Sequence, residues 1–298
     1  MLSLRQIEIL RTVILRGTTA GAARSLGMSQ PAISNAIRKM ETSLEIQLFE
    51  RSNNRIYPLD SAKILLEDSE PIFSTLQALE ERIDDLRTDK LSRLRILSTG
   101  PLGLGLLPEV LKKFATSHPG MTYRYDIRRL SQVVRGVETG QVDIGFGLEL
   151  RAGPGLVTQK LAVEEMVCIC RPDHPLASRG AITSDDLRGE PFIALDGRTT
   201  LGEVTRDGFR KAGVPFEFAI EVSNAATACA MVRAGLGSAL VDPWTARQMN
   251  DGKLCVRRFT PRIDCAAYAF WSGRRSMSRV CSQFLSAVRR RIAADAPG

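Results

Sequence analysis

The sequence predicts an α/β protein: a small helical domain, one long connecting helix, and a larger α/β region of two subdomains. Three observations predict it. Residues 1–60 carry helical periodicity broken by turn glycines, residues 72–86 carry an apolar seam, and from Arg93 apolar strands alternate with helices. The implied segments are 1–60, a linker helix over 61–91, and 92–298. The last divides into subdomain I (92–163 and 268–298) and subdomain II (164–267).

Taken in order, Leu4, Ile7, Leu10 and Ile14 give the inner stripe of a first helix that Gly17 closes. Thr18 or Thr19 can cap a short second helix, whose Ala20, Gly21, Ala22 and Ala23 let a third helix cross at close range. Gly27 supplies the positive φ that ends it. Ser29 can cap the third helix by accepting a backbone N–H bond, and Pro31 suits a first turn where its missing donor is not needed. Ile33, Ile37, Met40 and Leu44 then form one buried stripe. Gln30, Ser34, Asn35 and Arg38 fall on the other face, with side chains suited to base edges and phosphates in a major groove. Periodicity alone is equally that of an ordinary amphipathic helix. What favours DNA reading is the order: helix, short helix, glycine turn and polar-faced helix make the helix-turn-helix plan. Leu48-Phe49-Glu50-Arg51 and Ile56-Tyr57-Pro58-Leu59 read as extended pieces around an Asn53-Asn54 turn, a wing that brings Arg51 and Arg55 near a DNA backbone.

Residues 1 to about 60 resemble the winged helix-turn-helix of LysR-type transcriptional regulators. The resemblance is carried by Ser29-Gln30-Pro31-Ala32-Ile33-Ser34, Met40-Glu41 and Leu48-Phe49-Glu50-Arg51. Where that family often has Thr and Gly shortly after the wing, this chain has Asp60 and Lys63, which bears only on how the next helix is capped. The expected DNA-binding residues are Ser29, Gln30, Pro31, Ser34, Asn35, Arg38, Arg51 and Arg55.

Composition adds little to this. The net charge of +8 invites a nucleic-acid reading, but residues 1–60 hold eight Arg/Lys against five Asp/Glu, whereas residues 253–298 hold ten against two. The largest surplus therefore lies far from the motif, and Arg289-Arg290-Arg291 reads as a solvated helix end at a negative dipole terminus. Arg5, Glu8 and Arg11 interrupt any N-terminal apolar run and no stretch is long enough to span a membrane, so a cytoplasmic protein is expected. Six cysteines and two histidines show no metal-ligand spacing, so neither a zinc site nor a cofactor is expected. Cys168 and Cys170 are expected on opposite faces of one strand, where reduced and mostly buried thiols are favoured over a redox-sensing pair.

Residues 60 to about 89 are helical in pattern. Ile72, Leu76, Leu79, Ile83 and Leu86 follow the spacing of a coiled-coil seam, with Glu80, Glu81, Asp84 and Asp85 outside it. An exposed connector has little of its own protein to pack on, so the seam predicts a homodimer through this helix, with Pro71 kinking or breaking it. Paired recognition helices would read two half-sites of a pseudo-palindromic operator in double-stranded DNA.

Strands are expected at Leu94–Ser98, Tyr123–Ile127, Val142–Gly147, Met166–Cys170, Phe192–Leu195, Phe218–Val222, Ser238–Val241 and Ala266–Trp271, in mainly parallel sheets. Two α/β subdomains joined by two crossings make a hinge with a cleft. This is similar to the effector domain that LysR-type regulators share with periplasmic binding proteins, and the resemblance then spans essentially the whole chain. Cleft chemistry should sit at strand ends and the following helix starts. The expected effector contacts are Ser98, Thr99, Gly100, Leu102, Leu130, Ser131, Gly147, Asp196, Thr199, Thr200, Ser223, Asn224 and Asp242, with Arg128, Arg129 and Arg198 adding positive charge nearby. Residue by residue, Ser, Thr and Asn at helix starts are more often only caps; convergence on one cleft favours a small anion such as a carboxylate. The stretch from Ala225 to Trp244 is similar to the branch of the family that senses amino acids and opines, which would give Asp242 or Glu149 a ligand's ammonium or guanidinium.

The function expected is a sequence-specific transcriptional regulator controlled by a small carboxylate-bearing metabolite. It is expected to act as a homodimer that pairs further into a tetramer, and to contact RNA polymerase. Catalysis is disfavoured: the sequence has no nucleophile elbow, no phosphate-binding glycine loop and no metal-ligand set. A solute-binding transport receptor would have no use for a DNA-reading domain.

Overall fold

A computed structural model of the chain describes residues 2–52, 55–87, 93–149 and 153–295. It divides into two units, Met1–Leu79 and Glu80–Gly298.

In the first unit, α1 (Leu4–Arg16), α2 (Thr19–Leu26) and α3 (Gln30–Leu44) precede a hairpin of β1 (Phe49–Ser52) and β2 (Arg55–Pro58), and α4 (Asp60–Arg87) follows, its last eight residues belonging to the second unit. Gly17 at φ 67° and Gly27 at φ 62° end α1 and α2 in the left-handed region that glycine adopts without strain. Helix α3 ends on a non-glycine residue, Glu45 at φ 56°. The core gathers Ile9, Leu10 and Val13 from α1, Ala22 and Ala23 from α2, and Ile33, Ile37 and Met40 from α3, closed by Leu48, Phe49, Ile56 and Ala62. The inner face of α1 is thus turned from the expected stripe. Leu10 is buried, Ile7 and Ile14 are half-buried and Leu4 is exposed. Because α1 is apolar on more than one side, its periodicity admits both settings and contact with α2 and α3 selects one.

Helix α4 continues through Pro71 without a break. Arg11 ties it to α1, donating from Nε to Glu70 Oε1 at 2.9 Å while its guanidinium lies 5.0 Å from the Phe73 ring centre. Of the expected seam, Ile72, Leu76, Leu79 and Ile83 are all exposed. The side chain of Leu86 lies outside the described residues, as does the Asn53-Asn54 turn.

The second unit holds two sheets. The first contains β3 (Arg93–Ser98), β4 (Thr122–Ile127), β5 (Ile144–Leu148), β6 (Leu156–Glu165) and β13 (Asp264–Ser272), in the order β4-β3-β5-β13-β6. The second contains β7 (Val167–Cys170), β8 (Ala181–Thr183), β9 (Phe192–Leu195), β10 (Ile220–Val222), β11 (Ser238–Val241) and β12 (Cys255–Thr260), in the order β10-β9-β11-β7-β12-β8. The helices are α5 (Gly100–Gly103), α6 (Leu106–Ser117), α7 (Leu130–Glu138), α8 (Thr200–Ala212), α9 (Ala225–Arg233), α10 (Pro243–Met249) and α11 (Arg279–Asp295). Within each sheet all strands run one way except one: β13 opposes β5 and β6, and β7 opposes β11 and β12. Those are the strands that enter from the other sheet, so each crossing costs its sheet one reversal. The crossings lie side by side, joined where Met166 N–H donates to the Ile263 carbonyl at 2.8 Å. Strands β6, β8 and β12 have no counterpart among those expected. They are polar or lie toward a sheet edge: Thr158, Gln159 and Lys160 interrupt β6, and Arg257 and Arg258 sit in β12.

Candidate functional site

The first candidate surface is the outer face of α3. Ser29 caps that helix, its hydroxyl accepting from Ala32 N–H at 3.3 Å, which positions Pro31 in the first turn. Pro31, Ala32, Ser34, Asn35 and Arg38 line one shallow concavity on the face opposite Ile33, Ile37 and Met40. Gln30 stands at the same end, its amide donating to Thr19 Oγ1 at 3.2 Å, so the first residue of α3 is pinned to the first of α2. Among the described residues Arg38 and Arg55 make no ion pair, so no carboxylate neutralises either guanidinium. The wing is a regular ladder, Ser52 opposite Arg55 and Arg51 opposite Ile56; the side chain of Arg51 lies outside the described residues.

The second candidate surface lies where the subdomains of the second unit meet. Helix α5, which follows β3, packs against α9 and α10 from the other subdomain. Thr99 precedes α5, and its hydroxyl makes no cap bond and meets no hydrogen-bond partner among the described residues, although that oxygen is buried. Beside it, the missing side chain of Gly147 lets Leu130 and Thr99 pack close on the end of β5: a Cβ there would sit 2.7 Å from Leu130 Cδ1 and 3.4 Å from Thr99 Cγ2. Three of the expected contacts therefore converge on one point, from the loop after β3, the start of α7 and the end of β5. Asp196 lies on the other subdomain, in the loop after β9. Arg198 grips its carboxylate through Nε and Nη2, and the Arg129 charge is felt there too, so Asp196 is held down at about 2, chiefly by the Arg198 hydrogen bonds.

Other expected contacts are differently engaged. The Ser98 hydroxyl is buried and donates to the Thr99 carbonyl at 2.9 Å, and Leu102 is fully buried in the core. Thr199 caps α8 by accepting from Gly202 N–H at 3.1 Å, and Asn224 caps α9 by accepting from Thr227 N–H at 2.9 Å. Asp242 needs correction as a ligand contact. It is fully buried, capping α10 with Oδ1 accepting from Thr245 N–H at 2.7 Å and Oδ2 from the Thr245 hydroxyl at 2.8 Å. Glu149, at φ 50°, instead clasps the hinge: its N–H donates to the Ala266 carbonyl at 2.8 Å and its carboxylate accepts from Ala266 N–H. Gly100, Ser131, Thr200 and Ser223 stand at helix starts or strand ends with exposed or half-buried surfaces. Cys168 and Cys170 also need correction. Two residues apart on β7, they share one face, because side chains alternate with period two along a strand.

A reading head of this shape followed by a two-sheet domain is what the comparisons with known proteins describe. The model of the bacterial regulatory helix-turn-helix protein, lysR family, matches residues 4–62, and that of the LysR substrate binding domain matches residues 88–293. The chain belongs to the LysR family. Its members are DNA-binding transcriptional regulators with an effector-binding domain, and not enzymes. Among LysR-family relatives, the regulatory protein NocR of Agrobacterium fabrum is 30% identical over 263 residues, 88% of each chain. The octopine catabolism/uptake operon regulatory protein OccR of Rhizobium meliloti is 29% identical over 95% of this chain and 94% of its own. The LysR-family regulator CbnR shares the fold, with a TM-score of 0.71 at 22% identity over 98% of this chain and 99% of its own; it is also solved with its target DNA. No described helix is long and apolar enough to cross a membrane.

Proposed function

We propose that this LysR-family regulator reads a pseudo-palindromic operator with the outer face of α3 and answers to a small carboxylate-bearing metabolite of the amino-acid or opine class. The observation that carries the ligand reading is the convergence of the buried, unpartnered Thr99 hydroxyl with Leu130 and Gly147, with the Asp196–Arg198 pair on the other subdomain. A hydroxyl donor suits a carboxylate, and an acidic group across the cleft suits an ammonium or guanidinium. Kinship to OccR, whose description names octopine, supports a ligand that carries both. The proposed contact set is Thr99, Gly100, Leu130, Ser131, Gly147, Asp196, Thr200 and Ser223, with Ser98, Leu102, Thr199 and Asn224 supporting it from behind.

In this reading a ligand acts only through unequal affinity for two arrangements of the subdomains. The protein works in the cytoplasm as a homodimer along the exposed seam of α4, pairing further into a tetramer and contacting RNA polymerase. A thermal-shift screen of amino acids, opines and organic acids tests the ligand class: a true effector at 100 times its dissociation constant adds about 2.7 kcal/mol. A screen in which only cationic or apolar compounds stabilise the protein defeats the carboxylate reading. Footprinting on DNA flanking its own gene tests operator binding independently.

A further inference from the structure

Two cysteines face each other across the second sheet. In the antiparallel β7–β12 ladder Cys170 stands directly opposite Cys255. Opposed residues in such a ladder have Cα atoms about 4.5–5.5 Å apart, inside the span of about 4.4–6.8 Å that a disulfide bridges without moving backbone. The side chains share a face, since Cys170 feels both the charge and the hydrogen bonding of Cys255. Cys170 is buried, whereas Cys255 is partly exposed. The Cys255 thiol donates to the Ala177 carbonyl at 3.8 Å, and Arg257 donates to the same oxygen from Nε at 3.1 Å and Nη2 at 2.5 Å. A guanidinium therefore stands beside the pair, and its charge lowers the Cys170 value against the larger raising effect of burial. Cys168 lies further along β7, opposite Arg257 and fully buried, while Cys229, Cys265 and Cys281 lie buried elsewhere.

We propose that Cys170 and Cys255 are an oxidisable dithiol that closes to a disulfide on reaction with a low-molecular-weight disulfide. The accessible Cys255 thiolate attacks one sulfur of the small molecule, which leaves as a thiolate, and a mixed disulfide forms. Cys170 then gives its proton to solvent and attacks Cys255 Sγ, expelling the second thiolate. The protein loses two electrons and two protons, and the small disulfide is reduced to two thiols. Burial pushes the Cys170 thiol up to about 11, so the closing step quickens as pH rises toward that value. Strand β7 begins directly after one hinge crossing and β12 ends directly before the other, so the new bond ties together the strands that carry both crossings.

The test treats the full chain with oxidised glutathione at about pH 8.5, near the ordinary thiol value, blocks remaining thiols with N-ethylmaleimide and maps the peptides by mass spectrometry. The unsubstituted chain should yield a Cys170–Cys255 linkage with no glutathione retained. Cys170→Ser should leave glutathione stably attached at Cys255, and Cys281→Ser should behave as the unsubstituted chain. Glutathione retained on Cys255 of the unsubstituted chain, both thiols recovered blocked, or a linkage to another cysteine would overturn the proposal. The unsubstituted map decides the matter even if a variant fails to fold.

Discussion

Glu41 holds the wing to the recognition helix through Leu48: its Oε1 accepts the Leu48 N–H at 2.9 Å, and the neighbouring Phe49 N–H at 3.1 Å. Those two donors belong to buried residues and have no ladder partner on that side, so the carboxylate replaces a strand. Removing it leaves them unsatisfied, at a cost of about 1–3 kcal/mol. Glu41→Ala should lower the unfolding temperature of the DNA-binding unit and weaken operator binding, while Glu41→Gln, which keeps an acceptor oxygen, should recover most of both. Scanning calorimetry with gel-shift titration checks this; equal losses in the two variants would show that the acceptor is not what matters.

The proposed DNA contacts divide into base reading by Ser34 and Asn35 on α3 and phosphate binding by Arg55 on β2. Ser34→Ala with Asn35→Ala should weaken operator binding by about 1–3 kcal/mol per lost base contact and leave binding to unrelated DNA nearly unchanged. Arg55→Ala should weaken both alike and reduce the slope of log K against log salt by about one. Fluorescence anisotropy on operator and scrambled duplexes over a salt series distinguishes them. Identical behaviour of the two variants would contradict this division of labour.

Along α4 the exposed residues Ile72, Leu76, Leu79 and Ile83 form a 4-3-4 seam. Leu76→Glu with Leu79→Glu would bury like charges in a paired seam, so sedimentation should report monomers. Operator affinity should fall by on the order of 100-fold as two half-sites cease to be linked. A variant that stays dimeric would move the dimer contact away from this helix.

Much of this architecture was legible because particular residues admit few alternatives. Gly17 and Gly27 ended helices where their backbone freedom predicts, and Ser29-Gln30-Pro31 opened α3. The sequence was silent where a non-glycine takes the left-handed conformation, as Glu45 and Glu149 do, since only surrounding contacts hold them there. Strands β6 and β12 escaped notice because their polar residues break the apolar alternation. At the cleft, residue type alone could not separate caps from contacts. Thr99, Thr199 and Asn224 read alike in sequence, yet two accept cap bonds and the first does not. In sequence Asp242 reads as a partner for a ligand's ammonium or guanidinium, and only packing shows it buried.

That burial gives Asp242 a pH signature. Desolvation pushes its carboxyl up from 3.8 to about 6, against the lowering effect of the Thr245 hydrogen bonds. The folded chain thus holds the proton more tightly than the unfolded one. The associated stability is full below the unfolded value and is lost as pH rises through the folded one, a change of about 3 kcal/mol in all. Asp242→Asn still accepts the Thr245 N–H and carries no charge, so its stability should stay nearly level across that window. Urea unfolding of both chains at about pH 4 and about pH 7 should show the substituted chain gaining on the original as pH rises. A parallel pH response would mean that Asp242 does not titrate as its surroundings dictate.

Gly147 offers the sharpest test of the cleft. An alanine Cβ at this position would lie 2.7 Å from Leu130 Cδ1, so Leu130 must move and the contacts around Thr99 change with it. Small-to-large changes of this kind cost about 1–3 kcal/mol, little enough for the domain to remain folded. Gly147→Ala should abolish the thermal shift given by the best compound of the screen and leave operator binding of the ligand-free protein unchanged. Thr99→Val removes the unpartnered hydroxyl at nearly constant volume, and it should weaken carboxylate ligands more than their amide analogues. If both variants respond to ligand like the unsubstituted chain, the convergence of Thr99, Leu130 and Gly147 is packing alone and the effector binds elsewhere.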